Sequence, residues 1–310
     1  MITTVTLNPM LDKTVDVNRI VPGGIARATR VGMVVGGKGV NVSRQLRHLG
    51  METIATGFIG GEIGSILGRL LDAESLGHVF VKIEGMTREG VTYRDETGTM
   101  TSVFEPPHEV SDADCARLLE QCELLGKEST WVVCCGSSPS AAADDCYAAI
   151  IRSMRAKGVS TALDSYAAAL RSGLGAIPDF VKVNRHEWEH TFGESLATEG
   201  AVVGALRTML SRGVRTAILT DGERPCYAAT GSSVWKAIPV GVDAVNPTGS
   251  GDSMLAAMLF GMHQHWEFNR LLAYGIAAGA ANARVWDVAA SKHADIEELA
   301  SHVHCEKIIT

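Results

Sequence analysis

Proline is scarce in this sequence, with 9 prolines against 33 glycines among 310 residues. That balance favours tight turns between regular elements over a proline-rich linker or a disordered tail. The chain also has no internal repeat and no low-complexity segment. With 46% hydrophobic residues it can bury a large core. Length alone leaves open whether that core belongs to one large α/β unit or to two smaller domains.

The sequence lacks a basic stripe, an apolar run long enough to span a bilayer and the start of a signal peptide. Its 28 Lys and Arg residues are scattered and the formal net charge is -7, which gives no indication of a nucleic-acid partner. The opening residues MITTVTLNPM contain neither a cationic segment nor a long apolar one. We therefore expect a soluble, cytoplasmic protein with no membrane partner.

The 7 cysteines include no CxxC pair, and the adjacent Cys134 and Cys135 lie in the apolar run WVVCC. Such a run is typical of a buried strand in which free cysteine packs as a small hydrophobe, so we expect neither a zinc site nor a redox site. The histidines of HQH at 263–265 and HVH at 302–304 have a spacing that does not put both on one helical face. We interpret them as surface residues.

Short β-rich runs alternate with longer helical patterns through most of the chain, as in ITTVTL before VNVSRQLRHLG and WVVCCG before ADDCYAAIIRSMRAKG. This alternation predicts βαβ crossovers and a parallel sheet, with a ligand crevice beyond the carboxyl ends of the strands.

Two segments, residues 13–34 and 88–105, do not follow this alternation of strands and helices. Both are rich in Val and Thr with a period of two, around PGG and ETG turns, which predicts antiparallel ribbons. The alternatives are an inert decoration and a lid over the crevice, and we favour the lid because both ribbons adjoin polar loops at strand ends. Its apolar face would also suit a homodimer contact.

The glycine-rich turn NPTGSGDSML at 246–255 follows the strand-like run AIPVGVDAV and precedes a helical pattern. Such a turn directs free backbone N–H groups and the positive end of the helix dipole at one point, which binds an anion. Asp252 is then either a helix N-cap or a general base beside amides that hold a phosphoryl group. The glycines on both sides of Ser250 favour close approach by a ligand.

A second glycine cluster, VVGGKGVNVSRQLRHLG at 34–50, also joins a strand-like run to a helix. The backbone at Gly36 and Gly37, the charge of Lys38 and the amide of Asn41 suit a phosphorylated, polyhydroxylated ligand. The cluster is neither a Walker A loop nor a GxGxxG fingerprint. A tight turn with a solvated lysine is the alternative.

Both clusters, with VKVNRHEWE at 181–189 and TLNPMLDKT near the N-terminus, resemble the phosphofructokinase B family of ribokinase-like sugar kinases. The resemblance covers essentially the whole chain in the order of the family's motifs. It implies one domain over residues 1–310, a three-layer α/β/α sandwich with a mostly parallel central sheet and a small β-ribbon lid inserted at about 13–34 and 88–105.

The resemblance also implies a site. Asp252 would be the catalytic base, with an anion hole formed by Gly249, Ser250 and Gly251. The residues implied on the sugar side are Asp12, Gly36, Gly37, Lys38, Asn41, Arg88 and, in the turn GSSP, Ser137. Those implied on the ATP side are Lys182, Asn184, Glu187, Thr220 and Gly222, with Asn184 and Glu187 organising Mg²⁺ through water. Taken alone, the stretch NRHE is equally a helix capping box.

The forms TLNPxxD and GGKGxNVS, and TRE at 87–89, look most like the family branch that acts on phosphorylated hexoses, 1-phosphofructokinase and tagatose-6-phosphate kinase. This implies ATP-dependent phosphorylation of a ketohexose phosphate, with fructose 1-phosphate first and tagatose 6-phosphate or fructose 6-phosphate next. Lys38 and Arg88 would bind the existing phosphate, and Arg27 is a third candidate. An unphosphorylated sugar or nucleoside, and a sugar-phosphate sensor without turnover, are the alternatives.

Three departures from the family pattern affect these expectations. KVN stands where KPN is usual, which loosens a turn without removing a ligand. In TDGERPC, Pro225 stands near the position where the family usually has a second glycine. This loop contacts the nucleotide in the family, so the change bears on nucleotide preference. DSYAAAL has Tyr166 where we expect the usual glycine, which bears on the shape of the sugar pocket.

Overall fold

The computed structural model describes residues 1–309, and its regular elements alternate between strands and helices for most of that length. The strands are β1 (Ile2–Thr6), β2 (Met10–Val17), β3 (Ala28–Gly36), β4 (Thr53–Gly60), β5 (Val81–Ile83), β6 (Arg88–Arg94), β7 (Met100–Phe104), β8 (Trp131–Cys135), β9 (Ser160–Asp164), β10 (Phe180–Asn184), β11 (Thr216–Asp221), β12 (Arg224–Thr230), β13 (Ser233–Ile238) and β14 (His304–Ile309). The helices are α1 (Lys38–His48), α2 (Gly61–Ala73), α3 (Asp112–Gly126), α4 (Cys146–Ala156), α5 (Ala167–Gly175), α6 (Arg185–Phe192), α7 (Glu199–Ser211), α8 (Ser250–His263), α9 (Phe268–Ala283) and α10 (His293–Ala300).

Ten strands form one sheet in the order β14-β13-β12-β11-β10-β9-β8-β1-β4-β5. The strands from β5 to β11 in that order are parallel, and β12, β13 and β14 extend the edge in antiparallel fashion. Both faces of the parallel strands are covered, so that all five residues of β1 are buried although three of them are threonines. The mostly parallel sheet predicted from the sequence is confirmed.

Side chains that alternate along one strand enter two different cores. On β8, Val132 and Cys134 pack with α3, α4, α5 and α7, whereas Val133 and Cys135 pack with α1, α8 and α9. All four side chains are fully buried. The three-layer arrangement and the buried position of WVVCC are therefore as predicted, and the histidines of HQH and HVH are exposed, also as predicted.

A second sheet has the order β3-β2-β6-β7. The two predicted ribbons are joined by parallel pairing of β2 with β6, which sets Met10 opposite Arg88. Leu11 and Val35 anchor this sheet, called the lid below, on the apolar face of α2. Strands β3 and β7 are largely exposed. The first residues of β2 and β6 consequently lie beside the carboxyl end of β1, where the crevice was expected.

The run AIPVGVDAV was expected to be a strand, and this expectation is wrong. Strand β13 ends at Ile238 and residues 239–249 form an irregular loop. Pro239 follows the strand directly and has no N–H to continue the ladder. The loop instead leads to α9, where Val245 and Asn246 donate to the carbonyl of Ala283.

In residues 1–309, no helix is both long enough and apolar enough to cross a membrane.

Arg94 connects the lid to the body of the protein. Its guanidinium donates to both carboxylate oxygens of Asp16, at 2.9 and 3.0 Å, and lies 3.8 Å above the ring of Trp286. Trp286 belongs to the loop after α9, and its carbonyl accepts a hydrogen bond from Asn246. The lid therefore contacts the segment that leads into the glycine-rich turn.

Replacing Arg94 with alanine removes a cation–π contact worth about 1 kcal/mol. We expect amides of β2 and β6 to exchange about fivefold faster in hydrogen-exchange experiments, with exchange in β8 and β9 unchanged. Arg270→Ala is a matched control because the Arg270 guanidinium lies 3.8 Å from the ring of Trp266, on the body. Unchanged lid exchange in Arg94→Ala would show that this contact does not hold the lid.

Candidate active site

Most of the predicted site residues line one cavity of about 370 Å³ between the lid and the carboxyl ends of the parallel strands. They are Asp12, Gly36, Gly37, Lys38, Asn41, Arg88, Ser137, Lys182, Asn184, Glu187, Gly249, Gly251 and Asp252. A second cavity of about 510 Å³ is lined by the remaining three, Ser250, Thr220 and Gly222. Lys182, Asn184 and Gly251 line both cavities, so the two cavities adjoin each other at the glycine-rich turn.

The turn needs glycine at position 249 and is closely packed at position 251. Gly249 precedes α8 with φ 81, in the left-handed region, and a Cβ there would lie 2.5 Å from Val288 Cγ1. A Cβ on Gly251 would lie 2.6 Å from Lys182 Nζ. The Ser250 amide donates to the carbonyl of Pro247, whereas the Gly251 and Asp252 amides have no acceptor within residues 1–309. These two amides are the ones placed to bind an anion.

The Asp252 carboxylate is held by hydrogen bonding from α1. Gly249 is the N-cap and Asp252 is the third residue of the helix, so the alternative of Asp252 as a cap is wrong. Its side chain accepts from Asn41 Nδ2 at 2.8 Å, and Arg44 donates to Asn41 Oδ1 at 2.9 Å. Arg44 thereby fixes the orientation of the amide, with its N–H side towards the carboxylate.

Burial raises the pKa of the Asp252 carboxyl to about 6. Lys38 and Lys182 act to lower this pKa, and the neighbouring Asp164 carboxylate acts to raise it. The side chain is 6% exposed. A buried carboxylate whose pKa lies near neutrality, with one oxygen facing a cavity, is suited to general-base catalysis.

Two lysines share one buried carboxylate beside this site. Asp164, at the end of β9, accepts from Lys38 at 2.5 Å and from Lys182 at 2.7 Å, and Lys38 also pairs with Glu187. Burial acts to lower the pKa of both lysines, but the carboxylates raise it above its usual value. Burial acts to raise the pKa of Asp164, but the two lysines lower it. Both lysines and Asp164 are therefore charged.

The cations expected to bind a substrate phosphate differ in their surroundings. The charge of Lys38 is matched by two carboxylates, whereas Arg88 forms no ion pair within residues 1–309 and its buried Nε has no hydrogen-bond partner there. Burial lowers the pKa of Arg88, opposed by Tyr166 and Asp12, but a guanidinium stays charged. Arg27 is exposed on the loop between β2 and β3 and does not line the cavity.

Asn184 and Glu187 form the capping box that the sequence left as an alternative. Asn184 Oδ1 accepts from the Glu187 amide and Glu187 Oε2 accepts from the Asn184 amide, both at 2.8 Å. Glu187 Oε1 accepts from Lys38. Both side chains also line the cavity, so capping and a role beside a ligand are compatible.

The second cavity has an apolar wall that the sequence did not indicate. It is formed by Val240, Val242, Ala244, Pro247, Met254, Ile276, Gly279, Ala280 and Ala283. Much of this wall is the loop that was expected to be a strand. Pro225, which raised the question of nucleotide preference, lies outside this lining, and Glu223 lies on it.

Two residues that shape the site, Asp164 and Asn282, were not predicted from the sequence. Asp164 ends a buried strand, and a polar residue at that position was an available signal. Asn282 is fully buried in α9 and forms hydrogen bonds with Thr248, Ser250, Ser253 and Ala289, which no local sequence pattern indicates.

The residue with a left-handed backbone in the turn after β9 is not Tyr166. Tyr166 has extended backbone at φ −150, and the left-handed residue is its neighbour Ala167 at φ 54. The position that favours glycine is thus 167 rather than 166.

A family model described as pfkB family carbohydrate kinase matches residues 5–294. A 1-phosphofructokinase from Bacillus subtilis (strain 168) is 31% identical over 284 residues, which cover 91% of this chain and 92% of that protein. A Thermotoga maritima structure described as a possible 1-phosphofructokinase is 26% identical, with a TM-score of 0.90 over 99% of both chains. A ribokinase from the same organism is 16% identical, with a TM-score of 0.75 over 97% of this chain and 99% of its own. The expected ribokinase-like fold is thereby confirmed.

Proposed function

The chain belongs to the pfkB family of carbohydrate kinases, and we propose that it transfers the γ-phosphoryl group of ATP to a hydroxyl of a phosphorylated ketohexose. The observation that carries this proposal is one cavity that contains a carboxylate with a raised pKa and a guanidinium without a carboxylate partner, Asp252 and Arg88. The first group suits deprotonation of a hydroxyl, and the second suits an anion that the substrate already carries.

Fructose 1-phosphate is the proposed substrate, with tagatose 6-phosphate and fructose 6-phosphate next. The curated relative named above is a 1-phosphofructokinase. Asp12 lines the cavity with Arg88, and burial raises the pKa of Asp12 while Arg88 opposes the rise. We assign the sugar hydroxyls to Asp12, Asn41, Ser137 and the backbone of Gly36 and Gly37. Because the charge of Lys38 is already matched, we assign the existing phosphate chiefly to Arg88.

ATP is proposed to occupy the second cavity, with its base on the apolar wall and its phosphates at Lys182, Thr220 and Gly222. Lys182 lies beside the glycine-rich turn and Lys38 lines the same cavity. We assign stabilisation of the charge on the transferring group to these lysines and to the Gly251 and Asp252 amides. Mg²⁺ suits the oxygen donors Asn184 and Glu187, which are engaged in the capping box and would hold the ion through water. When bound, Mg²⁺ neutralises charge on the phosphates.

A coupled ADP-release assay over ketohexoses and their phosphates tests the activity. We expect turnover with phosphorylated ketohexoses, fructose 1-phosphate first. Asp252→Asn should lower kcat by about 10²- to 10⁴-fold with KM changed by less than about threefold, because it removes the base but keeps the shape of the side chain.

Asp295→Asn is the control, since Asp295 is exposed on α10 and lines neither cavity. Near-normal turnover in Asp252→Asn would overturn the assignment of the base. A thermal shift with sugar phosphates but no ADP release from the wild type would support a sensor without turnover instead.

The raised pKa of Asp252 also predicts how stability depends on pH. Because folding raises this pKa from 3.8 to about 6, the stabilising contribution is full below pH 3.8 and is lost as the pH rises through 6. In urea titrations, we expect the free energy of unfolding of the wild type relative to Asp252→Asn to fall by about 1 kcal/mol between pH 5 and 8.

A difference that is constant over this range would show that the pKa is not raised. We also expect kcat to fall below pH 6 as Asp252 becomes protonated. Because a substrate phosphate titrates in the same range, the pH dependence of stability is the decisive measurement.

The homodimer expected through the lid is also a proposal. Strand pairing puts Met33, Lys13, Val91 and Val103 in one row across the lid. Met33 is 51% and Val103 62% exposed, and Val31, two residues along β3, is 56% exposed. Lys13 interrupts this row, but the edge strands β3 and β7 expose large apolar side chains on both sides of it. Exposed apolar side chains grouped in this way are typical of a protein contact.

Val103→Glu should convert the dimer to a monomer at micromolar concentration in light-scattering measurements of mass, because it puts a charge into the buried centre of the contact. Leu124→Glu is the matched control, since Leu124 is 58% exposed on α3, away from the lid. A monomeric wild type would contradict the proposal directly.

A further inference from the structure

Tyr166 lines the sugar-side cavity and has no role in the scheme above. It lies between β9 and α5, two residues after Asp164, and is 38% exposed. Its extended backbone makes it the N-cap residue of α5, but its side chain takes no part in capping. The phenol is therefore free to contact a ligand in the cavity.

The ring of Tyr166 is supported from α6. The ring of His190 meets it edge-on, with centroids 6.4 Å apart and planes at 62°. His186 in turn stacks on His190, at 6.2 Å and 4°. These contacts restrict where the ring lies, and a restricted ring loses little conformational freedom when its hydroxyl binds a ligand.

The hydroxyl of Tyr166 has no hydrogen-bond partner within residues 1–309. Arg88, which the lid contributes to the same cavity, interacts electrostatically with both Tyr166 and Asp12. The cavity therefore contains an unpaired guanidinium and, within its electrostatic reach, a phenol without a partner. A phosphate presents three acceptor oxygens, and a single guanidinium binds only two of them in a bidentate contact, so at least one oxygen is left for another donor.

We propose that the Tyr166 hydroxyl donates a hydrogen bond to the phosphate that the substrate already carries, beside Arg88, and that Tyr166 thereby determines specificity for phosphorylated sugars. This inference rests on the proposed function. It adds a specificity-determining residue to the sugar-phosphate site, formed by the body of the protein rather than by the lid.

The test is Tyr166→Phe, which keeps the ring and removes the hydroxyl. A hydrogen bond to a charged group contributes enough that its loss should raise KM for fructose 1-phosphate about 10-fold. KM for ATP and kcat should change less than about twofold, and the inhibition constant of unphosphorylated fructose should not change. Tyr93→Phe is the control, because Tyr93 lies on the lid and does not line the cavity.

A second variant tests whether the two groups bind the same phosphate. In an Arg88→Gln background, the effect of Tyr166→Phe on KM should fall well below 10-fold, since contacts to one shared group are not additive. An unchanged KM for fructose 1-phosphate in Tyr166→Phe would overturn the inference. So would an equal rise in the inhibition constant of fructose, which would indicate a change in pocket shape.

Turnover by the wild-type protein shows whether a negative result concerns this inference alone or the proposed function as well. If the wild type turns over no phosphorylated ketohexose, the proposed function fails and the inference fails with it. If the wild type is active and Tyr166→Phe behaves like the wild type, the inference fails alone.

Discussion

The site depends on a group of buried charges that five elements contribute. Lys38 begins α1, Asp164 ends β9, Lys182 lies on β10, Glu187 lies on α6 and Asp252 lies in the first turn of α8. Each ion alone would cost several kcal/mol to bury. Lys38, Lys182, Asp164 and Glu187 compensate one another as ion pairs, whereas Asp252 forms no ion pair within residues 1–309 and is held by Asn41. The pairing therefore fixes the ends of α1, β9, β10 and α6 relative to one another. The pairing also leaves both lysines charged in the cavity beside the glycine-rich turn, where a phosphoryl group would carry the most negative charge.

A second, uncharged group holds the turn itself. Asn282 donates to the Thr248 carbonyl at 2.8 Å and accepts from the Ala289 amide at 2.7 Å. One buried side chain of α9 therefore holds both the residue before Gly249 and the loop that follows α9. Val288 then packs where a Cβ of Gly249 would lie. The free amides at the start of α8 are thus preorganised by packing and hydrogen bonding, and need no rearrangement to stabilise charge.

The sequence predicted the features whose cause is local. The alternation of runs predicts the parallel sheet, and strand ends followed by glycine or polar residues predict where the cavity lies. It did not predict that Lys38 pairs with Asp164, since these residues are 126 positions apart and no pattern records that separation. The loop after Ile238 was misread for a related reason. Its residues Val240 and Val242 line a cavity and pack against the edge of a core without forming a strand, and hydropathy does not distinguish these positions from those of a buried strand.

In the proposed scheme, specificity for a phosphorylated sugar comes from a cation that has no carboxylate partner in the free protein. Lys38 is satisfied before any ligand arrives, but Arg88 stays without an anion partner until one enters the cavity. A sugar without a phosphate would bury that guanidinium further without matching its charge, so discrimination arises from the penalty on the wrong ligand as well as from contacts with the right one. Arg88 begins β6 and Arg94 ends it, above Trp286. One lid strand therefore carries both the guanidinium that we assign to the substrate phosphate and the residue that contacts the body of the protein.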